Sequence, residues 1–290
     1  MAPQDRIAQV SSHLNYPQGL LAGQIAIITG AGQGVGAEAA RLFANEGAKK
    51  AEAVVKSIND ASPGRAIAVV GDVTDPTYVK RVVQKAAEFG NGKIHIIVNN
   101  AGYTWDGVIH KVSGRYGPFA RIRHDSCPRH STLQLVQVAA PYFRVKDGAD
   151  RVIVNISSTS GIHGNPGQVN YAVGKAGMVG LTKTIAKEWG PQFGVRANTI
   201  AFSLVLTRLT AAKEAGTFIT TPDGEKVALG LPSAQLAARA GGDEKDKYPD
   251  IPLRRGATPT EAARSILAVV SPLLSYVNGQ TIMVTGGRNM

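Results

Sequence analysis

Short apolar runs alternate along this chain with longer segments in which apolar residues recur at helical spacing. The apolar runs occupy residues 24–29, 66–70, 94–98, 151–156, 195–201 and 281–284. The segments with helical spacing occupy residues 37–46, 76–89, 169–190 and 260–270. A short apolar run between helices is typical of a strand buried on both faces. The pattern therefore predicts βαβ units and an α/β fold with a doubly wound parallel sheet.

The alternation is interrupted where the second strand of such a sheet should lie. No apolar run separates Gly47 from Ile67, and residues 50–56 have the spacing of a helix instead. A strand averages about five or six residues, and about that many are missing at this point. We therefore expect a sheet whose second strand is absent or distorted.

A later segment, residues 209–252, is rich in glycine, alanine, proline and charge, with a turn predicted at residues 220–224. Long insertions beyond the carboxyl ends of strands often form lids, although this composition suits an ordinary surface loop equally well. The predicted organisation is an N-terminal extension, residues 1–23, and a single domain, residues 24–290, that carries the lid insertion 209–252.

The composition excludes several classes of protein. Of the 290 residues, 43% are hydrophobic and 18% are charged, which is typical of a globular domain with a sizeable core. No apolar run reaches the length of about 18 residues that a membrane span needs, and no secretory signal is recognisable at the N-terminus. The single cysteine, Cys127, cannot form an internal disulfide. We expect a cytoplasmic protein without a membrane partner.

The formal net charge of +11 raises the question of nucleic-acid binding. Basic residues do not cluster in runs interleaved with aromatic residues, so we expect no nucleic-acid partner. Attraction to anionic small molecules such as dinucleotides or acyl-thioester carriers accounts for the charge equally well.

Glycines cluster between the first predicted strand and the helix that follows it. Gly30, Gly34 and Gly36 are accompanied here by Gln33 and Val35. Glycines allow the backbone to turn sharply and to approach a pyrophosphate, while the start of the helix supplies N–H donors. This segment is a candidate phosphate-binding loop.

Ser158, Tyr171 and Lys175 form a candidate proton-transfer site. Tyr171 and Lys175 are four residues apart and therefore share one face of the predicted helix. A nearby ammonium lowers the pKa of a tyrosine, and a serine hydroxyl can hold a carbonyl oxygen while the tyrosine moves a proton. Taken alone, the same spacing also fits an ordinary helix surface.

The motifs resemble, in their order and spacing, those of the short-chain dehydrogenase/reductase family. They comprise the glycine segment 29–36, the sequence Asn-Asn-Ala-Gly at 99–102, Ser158, and Tyr-x-x-x-Lys at 171–175, with 13 residues from Ser158 to Tyr171. The resemblance extends from about residue 23 to residue 287. It is greatest to the 3-oxoacyl-carrier-protein reductase and multifunctional β-oxidation branches, through residues 164–171.

The resemblance implies a Rossmann-like fold, a nicotinamide cofactor and an alcohol or ketone substrate, such as a 3-oxoacyl thioester. It implies that Tyr171 is the acid/base, that Ser158 orients the substrate oxygen, and that Lys175 binds the nicotinamide ribose and lowers the pKa of Tyr171. The implied cofactor-binding residues are Gly30, Gln33, Gly34, Val35, Gly36, Asp72, Val73, Asn100, Gly102, Tyr171, Lys175, Val205 and Thr207. Gln33 replaces a residue that is often basic in NADP-preferring relatives, which favours NAD over NADP.

The chain departs from the family in three places. The acidic residue expected on the second strand has no candidate, because Glu52 lies in the wrong element, so dinucleotide binding should be weakened. Pro118 and Pro128 oppose the long helix expected after residue 103. His124 falls where the family usually has asparagine. Phe202 and Ser203 replace the usual Pro-Gly.

The irregular segment 103–130 admits two further interpretations. It could result from a local frameshift or a mis-spliced exon, with the missing strand a second lesion of the same kind. The spacing of His124, Cys127 and His130 resembles that of metal ligands, but it provides only three ligands, so we expect no metal.

The sequence leaves two functions open. The first is an oxidoreductase that transfers a hydride between NAD or NADP and a small alcohol or ketone. The second is a catalytically impaired nucleotide-binding protein, or a mis-spliced product. The family usually forms dimers or tetramers through the two helices that follow residues 102 and 168, so we expect a homo-oligomer if the first of these helices forms.

Overall fold

A parallel sheet lies at the centre of the protein. The computed structural model describes residues 19–46, 55–61, 64–102, 128–210, 218–220, 226–228 and 248–289. The strands of this part of the chain are β1 (Ala26–Ile28), β2 (Ile96–Asn99), β3 (Val152–Ser158), β4 (Arg196–Phe202), β5 (Phe218–Thr220), β6 (Lys226–Ala228) and β7 (Thr281–Val284). The central sheet has the strand order β1-β2-β3-β4-β7, and β5 and β6 form a separate antiparallel pair.

Helices cover both faces of the sheet. They are α1 (Gly34–Asn45), α2 (Val55–Ala61), α3 (Pro76–Phe89), α4 (Pro128–Phe143), α5 (Thr159–His163), α6 (Val169–Phe193) and α7 (Pro259–Val270). Because successive strand residues point to opposite faces, β1 contributes to two cores. Ala26 and Ile28 pack with Phe43 of α1 and Ile266 of α7. Ile27 packs with side chains of α3, α4 and α6. The predicted α/β fold with a doubly wound parallel sheet is confirmed.

The prediction of a buried strand at residues 66–70 is wrong. Residues 67–70 belong to no helix or strand, and Val70 is 76% exposed. Side chains of α3 bind this segment instead of a neighbouring strand. Tyr78 Oη donates to the carbonyl of Val69 at 2.8 Å, and Arg81 donates to the carbonyl of Val70 at 2.7 Å. In the described structure no strand pairs with the outer side of β1, which is therefore the last strand of the sheet on that side.

The two anomalous segments are described only in part. The helix predicted at residues 50–56 overlaps α2, while residues 47–54 lie outside the described part of the chain. The segment containing Pro118, His124 and Cys127 also lies outside it. Pro128 does not oppose a helix, because it is the first residue of α4, where a proline needs no N–H partner.

A buried chain of polar side chains fixes α6 on the sheet. Asn99 donates to Asn155 at 2.8 Å, Asn155 donates to the hydroxyl of Thr182 at 2.8 Å, and Thr199 donates to the same hydroxyl at 2.7 Å. These bonds join β2, β3 and β4 to one turn of α6. Lys175 lies seven residues before Thr182 and therefore on the same face of the helix. The chain of bonds thus sets the position of the helix that carries Tyr171 and Lys175.

Membrane-spanning helices and metal-binding clusters are both absent from the described residues. None of the helices there is both long and apolar enough to cross a membrane. No group of three or more histidine, cysteine, aspartate or glutamate residues is arranged to hold a metal ion in that part of the chain.

Candidate active site

A cleft of about 620 Å³ lies at the carboxyl ends of the strands. It contains most of the residues that the sequence predicts for the site. These are Gly30, Gln33, Gly34, Val35, Asn100, Gly102, Ser158, Tyr171, Lys175, Val205 and Thr207. Because parallel strands end at the same edge of the sheet, loops far apart in sequence meet here.

The glycine segment has the close contacts of a phosphate-binding loop. Gly30 has a φ of 65°, and a Cβ atom on it would lie 2.9 Å from the Cα atom of Ala101. A Cβ atom on Gly36 would lie 2.4 Å from the carbonyl oxygen of Gly30. The first turn of α1 has neither an acidic residue nor a side-chain cap. Its N–H groups can therefore receive a pyrophosphate, so the residues present fit this part of a dinucleotide.

Asn100 and Thr29 hold the next loop against the glycine segment. The hydroxyl of Thr29 accepts hydrogen bonds from the backbone N–H groups of Asn100 and Ala101, both at 3.0 Å. The side chain of Asn100 donates in turn to the carbonyl of Thr29 at 3.0 Å. These bonds fix the floor of the cleft between β1 and β2.

Three predicted cofactor residues do not line the cleft. Gly36 acts through its close packing with Gly30. Asp72 accepts a hydrogen bond from the backbone of Thr74 at 2.8 Å and so shapes the turn before α3. Val73 lines a separate cavity of about 10 Å³.

A second cavity, of about 420 Å³, lies between β1 and residues 67–71 and also touches Gly30. The described residues that line it carry no charged side chain. Its position beside β1 is where the sequence predicts the missing strand. In the described structure this side therefore offers no carboxylate to a ribose hydroxyl.

Ser158 presents its hydroxyl at the end of β3. Its side chain is 8% exposed, and its oxygen accepts a hydrogen bond from the backbone N–H of Ser160 at 3.2 Å. This bond makes Ser158 the N-cap of α5 and orients the hydroxyl. Because the oxygen acts as an acceptor there, its own hydrogen can be donated to a substrate oxygen.

Lys175 is buried beside Tyr171. Its ammonium donates to the carbonyl of Ile156 at 2.7 Å and lies 5.7 Å from the centre of the Tyr171 ring. The hydroxyl of Ser157 donates to the backbone carbonyl of Lys175 at 2.7 Å. The lysine is thus held from both ends, and its charge lies close to the tyrosine ring.

Residues outside the predicted site also shape or charge the cleft. Ser203 lines the cleft, and its hydroxyl oxygen is buried without a hydrogen-bond partner in the described structure. Arg208 and Arg288 also line it. Arg208 directly follows Thr207, a predicted cofactor residue, so this neighbour could have drawn attention to it.

Comparisons with known proteins point to one family. The model of the family described as short chain dehydrogenase matches residues 24–217. The 3-oxoacyl-[acyl-carrier-protein] reductase FabG of Thermotoga maritima is 33% identical over 283 residues, covering 92% of this chain and 98% of that protein. The reductase of the same name from Chlamydia muridarum is 31% identical over 278 residues, covering 92% of this chain and 98% of that protein.

Solved structures agree with the sequence relatives. A 3-ketoacyl-(acyl-carrier-protein) reductase from Brucella melitensis, crystallised in complex with NADH, has a TM-score of 0.73 and 26% identity, covering 93% of this chain and all of that chain. Together with the ordered motifs and the parallel sheet, these matches identify the family. This protein belongs to the short-chain dehydrogenase family and is an oxidoreductase that uses a nicotinamide cofactor.

Proposed function

We propose that this protein interconverts a ketone and an alcohol, with a 3-oxoacyl thioester as the substrate class and NAD preferred over NADP. The observation that carries the proposal is that Ser158, Tyr171 and Lys175 line the same cleft as the glycine segment. The thioester is inferred from the similarity to 3-oxoacyl-[acyl-carrier-protein] reductases. The preference for NAD is inferred from the neutral side chain of Gln33 at the cleft wall.

In the reductive direction, Ser158 donates its hydroxyl hydrogen to the ketone oxygen and holds it in place. The oxygen becomes negatively charged as the carbonyl is reduced, so this hydrogen bond strengthens as the reaction proceeds. The buried position of Ser158 reduces competition from water.

Tyr171 then gives its phenolic proton to the developing alkoxide. Lys175, fixed on Ile156, places a positive charge near the phenolate that remains and so stabilises it. In the oxidative direction Tyr171, as the phenolate, takes the proton from the alcohol, while the charge of Lys175 stabilises that phenolate.

The cofactor would be held by the glycine segment, the loop at 100–102 and the segment at 205–207. When bound, its nicotinamide supplies or accepts the hydride at the carbonyl carbon. Lys175 would also bind the nicotinamide ribose.

The proposal is tested by following oxidation of NADH and NADPH with acetoacetyl-coenzyme A as the substrate. Tyr171→Phe should lower kcat by about 100- to 10,000-fold, because the proton donor is lost. Tyr276→Phe is a matched control, because Tyr276 is 99% exposed. Unchanged turnover in Tyr171→Phe would rule out the mechanism. NADH binding without any turnover by the unaltered protein would favour the impaired nucleotide-binding protein instead.

We further propose that the protein forms a homo-oligomer through α4 and α6. Both helices are present, and they expose apolar side chains at Leu133 and Val173, which are 40% and 38% exposed. Light scattering of the purified protein, compared with a Val173→Glu variant, tests the assignment. An unaltered mass of the variant oligomer would exclude this interface.

A further inference from the structure

The described residues that line the cleft carry positive charge. The lining includes Lys175, Arg208 and Arg288. It includes no aspartate or glutamate among the residues that the structure describes. Arg288 is paired with Asp250 at 2.6 Å, so its charge is already partly balanced. No carboxylate of the described residues lies within ion-pairing distance of Arg208, which is exposed. Of the two guanidinium groups, Arg208 is therefore the one whose charge is less neutralised by a carboxylate of the described residues.

The turn that carries Arg208 is held in a fixed shape. Arg208 begins a 3₁₀ turn that ends at Thr210. The hydroxyl of Thr210 accepts from the backbone N–H of Thr207 at 2.9 Å and lies 2.9 Å from the carbonyl of Val205, to which it donates. The backbone N–H of Thr210 donates to the carbonyl of Thr207 at 3.0 Å. Because the backbone of this turn is fixed, the Arg208 side chain loses less conformational entropy when its guanidinium binds a ligand.

This turn lies against the glycine segment. A Cβ atom on Gly34 would be 3.6 Å from the methyl group of Thr207, which is an ordinary van der Waals contact. Gly34 is the first residue of α1, where the uncapped N–H groups attract an anion. Because Arg208 follows Thr207 in the chain, its backbone lies close to the N–H groups at which a pyrophosphate would bind.

We propose that Arg208 binds the pyrophosphate of the dinucleotide together with the N-terminus of α1. The proposal rests on the proposed function and adds one binding residue to it. The uncharged cavity beside β1 gives it a physical reason. Among the described residues, those that line this cavity offer no carboxylate to the adenosine side, so the pyrophosphate contacts supply a larger share of the affinity. Arginine suits the task because its planar fork matches two phosphate oxygens.

The test measures binding rather than turnover. NADH and ADP-ribose, which has the pyrophosphate but no nicotinamide, are titrated into the unaltered protein and into Arg208→Gln and Arg208→Lys at one ionic strength. Loss of a charge-assisted hydrogen bond should weaken both ligands about tenfold in Arg208→Gln. Arg208→Lys should keep part of the affinity, since it retains the charge without the fork. Arg264→Gln, an exposed position on α7 away from the cleft, should bind as the unaltered protein does.

The outcomes separate the proposals. Equal losses for NADH and ADP-ribose support a pyrophosphate contact. A loss for NADH alone places Arg208 at the nicotinamide side and overturns the proposal. Unchanged affinity in Arg208→Gln also overturns it, while normal turnover of the same variant leaves the proposed function intact. If the unaltered protein neither binds nor oxidises NADH, both proposals fail. Thermal melting of each variant without ligand confirms that it is folded.

Discussion

At the scale of single residues, Gly161 determines how closely α5 can approach the buried lysine. A Cβ atom on Gly161 would lie 2.7 Å from the Cβ atom of Lys175, too close for real atoms to remain in place. The lysine is also held by its bonds to Ile156 and Ser157, so it has little room to move. Any side chain at Gly161 would push the two helices apart at the candidate active site.

We expect Gly161→Ala to lower both activity and stability. Separation of α5 from α6 would shift Ser158 relative to Lys175 and should cost about 1–3 kcal/mol through overpacking. Activity assays and urea unfolding measure the two effects. Gly180→Ala is the matched control, because a Cβ atom there meets no atom within 4 Å. In the middle of α6 it should raise stability by about 0.5–1 kcal/mol. Full activity in Gly161→Ala would show that the contact does not position the site.

At the scale of helices and strands, the polar chain from Asn99 to Thr199 joins three strands to α6. Asn155 occupies its middle, is fully buried, and both accepts and donates a hydrogen bond. Thr199 lies at its end and contributes its hydroxyl to Thr182. Asn155 therefore bonds two buried side chains of this network, Asn99 and Thr182, whereas Thr199 bonds only Thr182.

We expect Asn155→Ala to destabilise the protein more than Thr199→Val. The first change leaves the buried side-chain amide of Asn99 without its partner, removes one of the two hydrogen bonds that Thr182 accepts, and adds a cavity, at a cost of about 3 kcal/mol. The second removes one donor, while Thr182 keeps its bond from Asn155, at a cost of about 1 kcal/mol. Free energies of unfolding in urea would measure both. Equal losses would mean that the chain does not act as a connected unit.

The sequence predicted the features that local chemistry determines. The buried strands and the long helix α6 follow from apolar spacing, and Gly194, with a φ of 67°, ends that helix as glycine commonly does. Residues 66–70 have the composition of a strand. A strand also needs a neighbour, and side chains of α3 bind this backbone instead. Arg208 was missed for a similar reason, since its proximity to Gly34 depends on a contact distant in sequence.

At the scale of the whole molecule, stability depends on a neutral histidine at the start of the sheet. His95 is 9% exposed, and its Nδ1 atom accepts a hydrogen bond from the backbone N–H of Ile25 at 3.0 Å. Burial, followed by the charges of Arg151 and Lys93, lowers the pKa of His95 to about 4. Protonation would remove the acceptor and place a charge between β1 and β2.

We expect the stability of the protein to fall as the pH is lowered from about 6.5 to about 4. Because the pKa of His95 is lower in the folded than in the unfolded protein, the unfolded chain binds more protons in this range. His95 contributes fully above pH 6.5, and about 2 kcal/mol of its contribution is lost by pH 4, after allowance for solvent screening. Urea unfolding across this range would measure the loss. His95→Asn, which keeps an acceptor but does not titrate, should have a flatter profile, and identical profiles would exclude His95 as the cause.

Arg196 connects distant parts of the chain. Its buried guanidinium donates to the carbonyls of Val269 and Leu274 at 3.1 and 3.2 Å, and to those of Val270 and Ser271 at 3.1 and 3.3 Å. The parts of the chain before Thr210 and after Tyr248 are thus joined by this cation and by the pairing of β4 with β7. A protease cut within that segment would leave two fragments that remain associated. Removal of the C-terminal fragment would take away these four carbonyl acceptors and leave Asp150, at 3.6 Å, as the ion-pair partner of Arg196, so the N-terminal piece depends on the C-terminal one for its buried contacts.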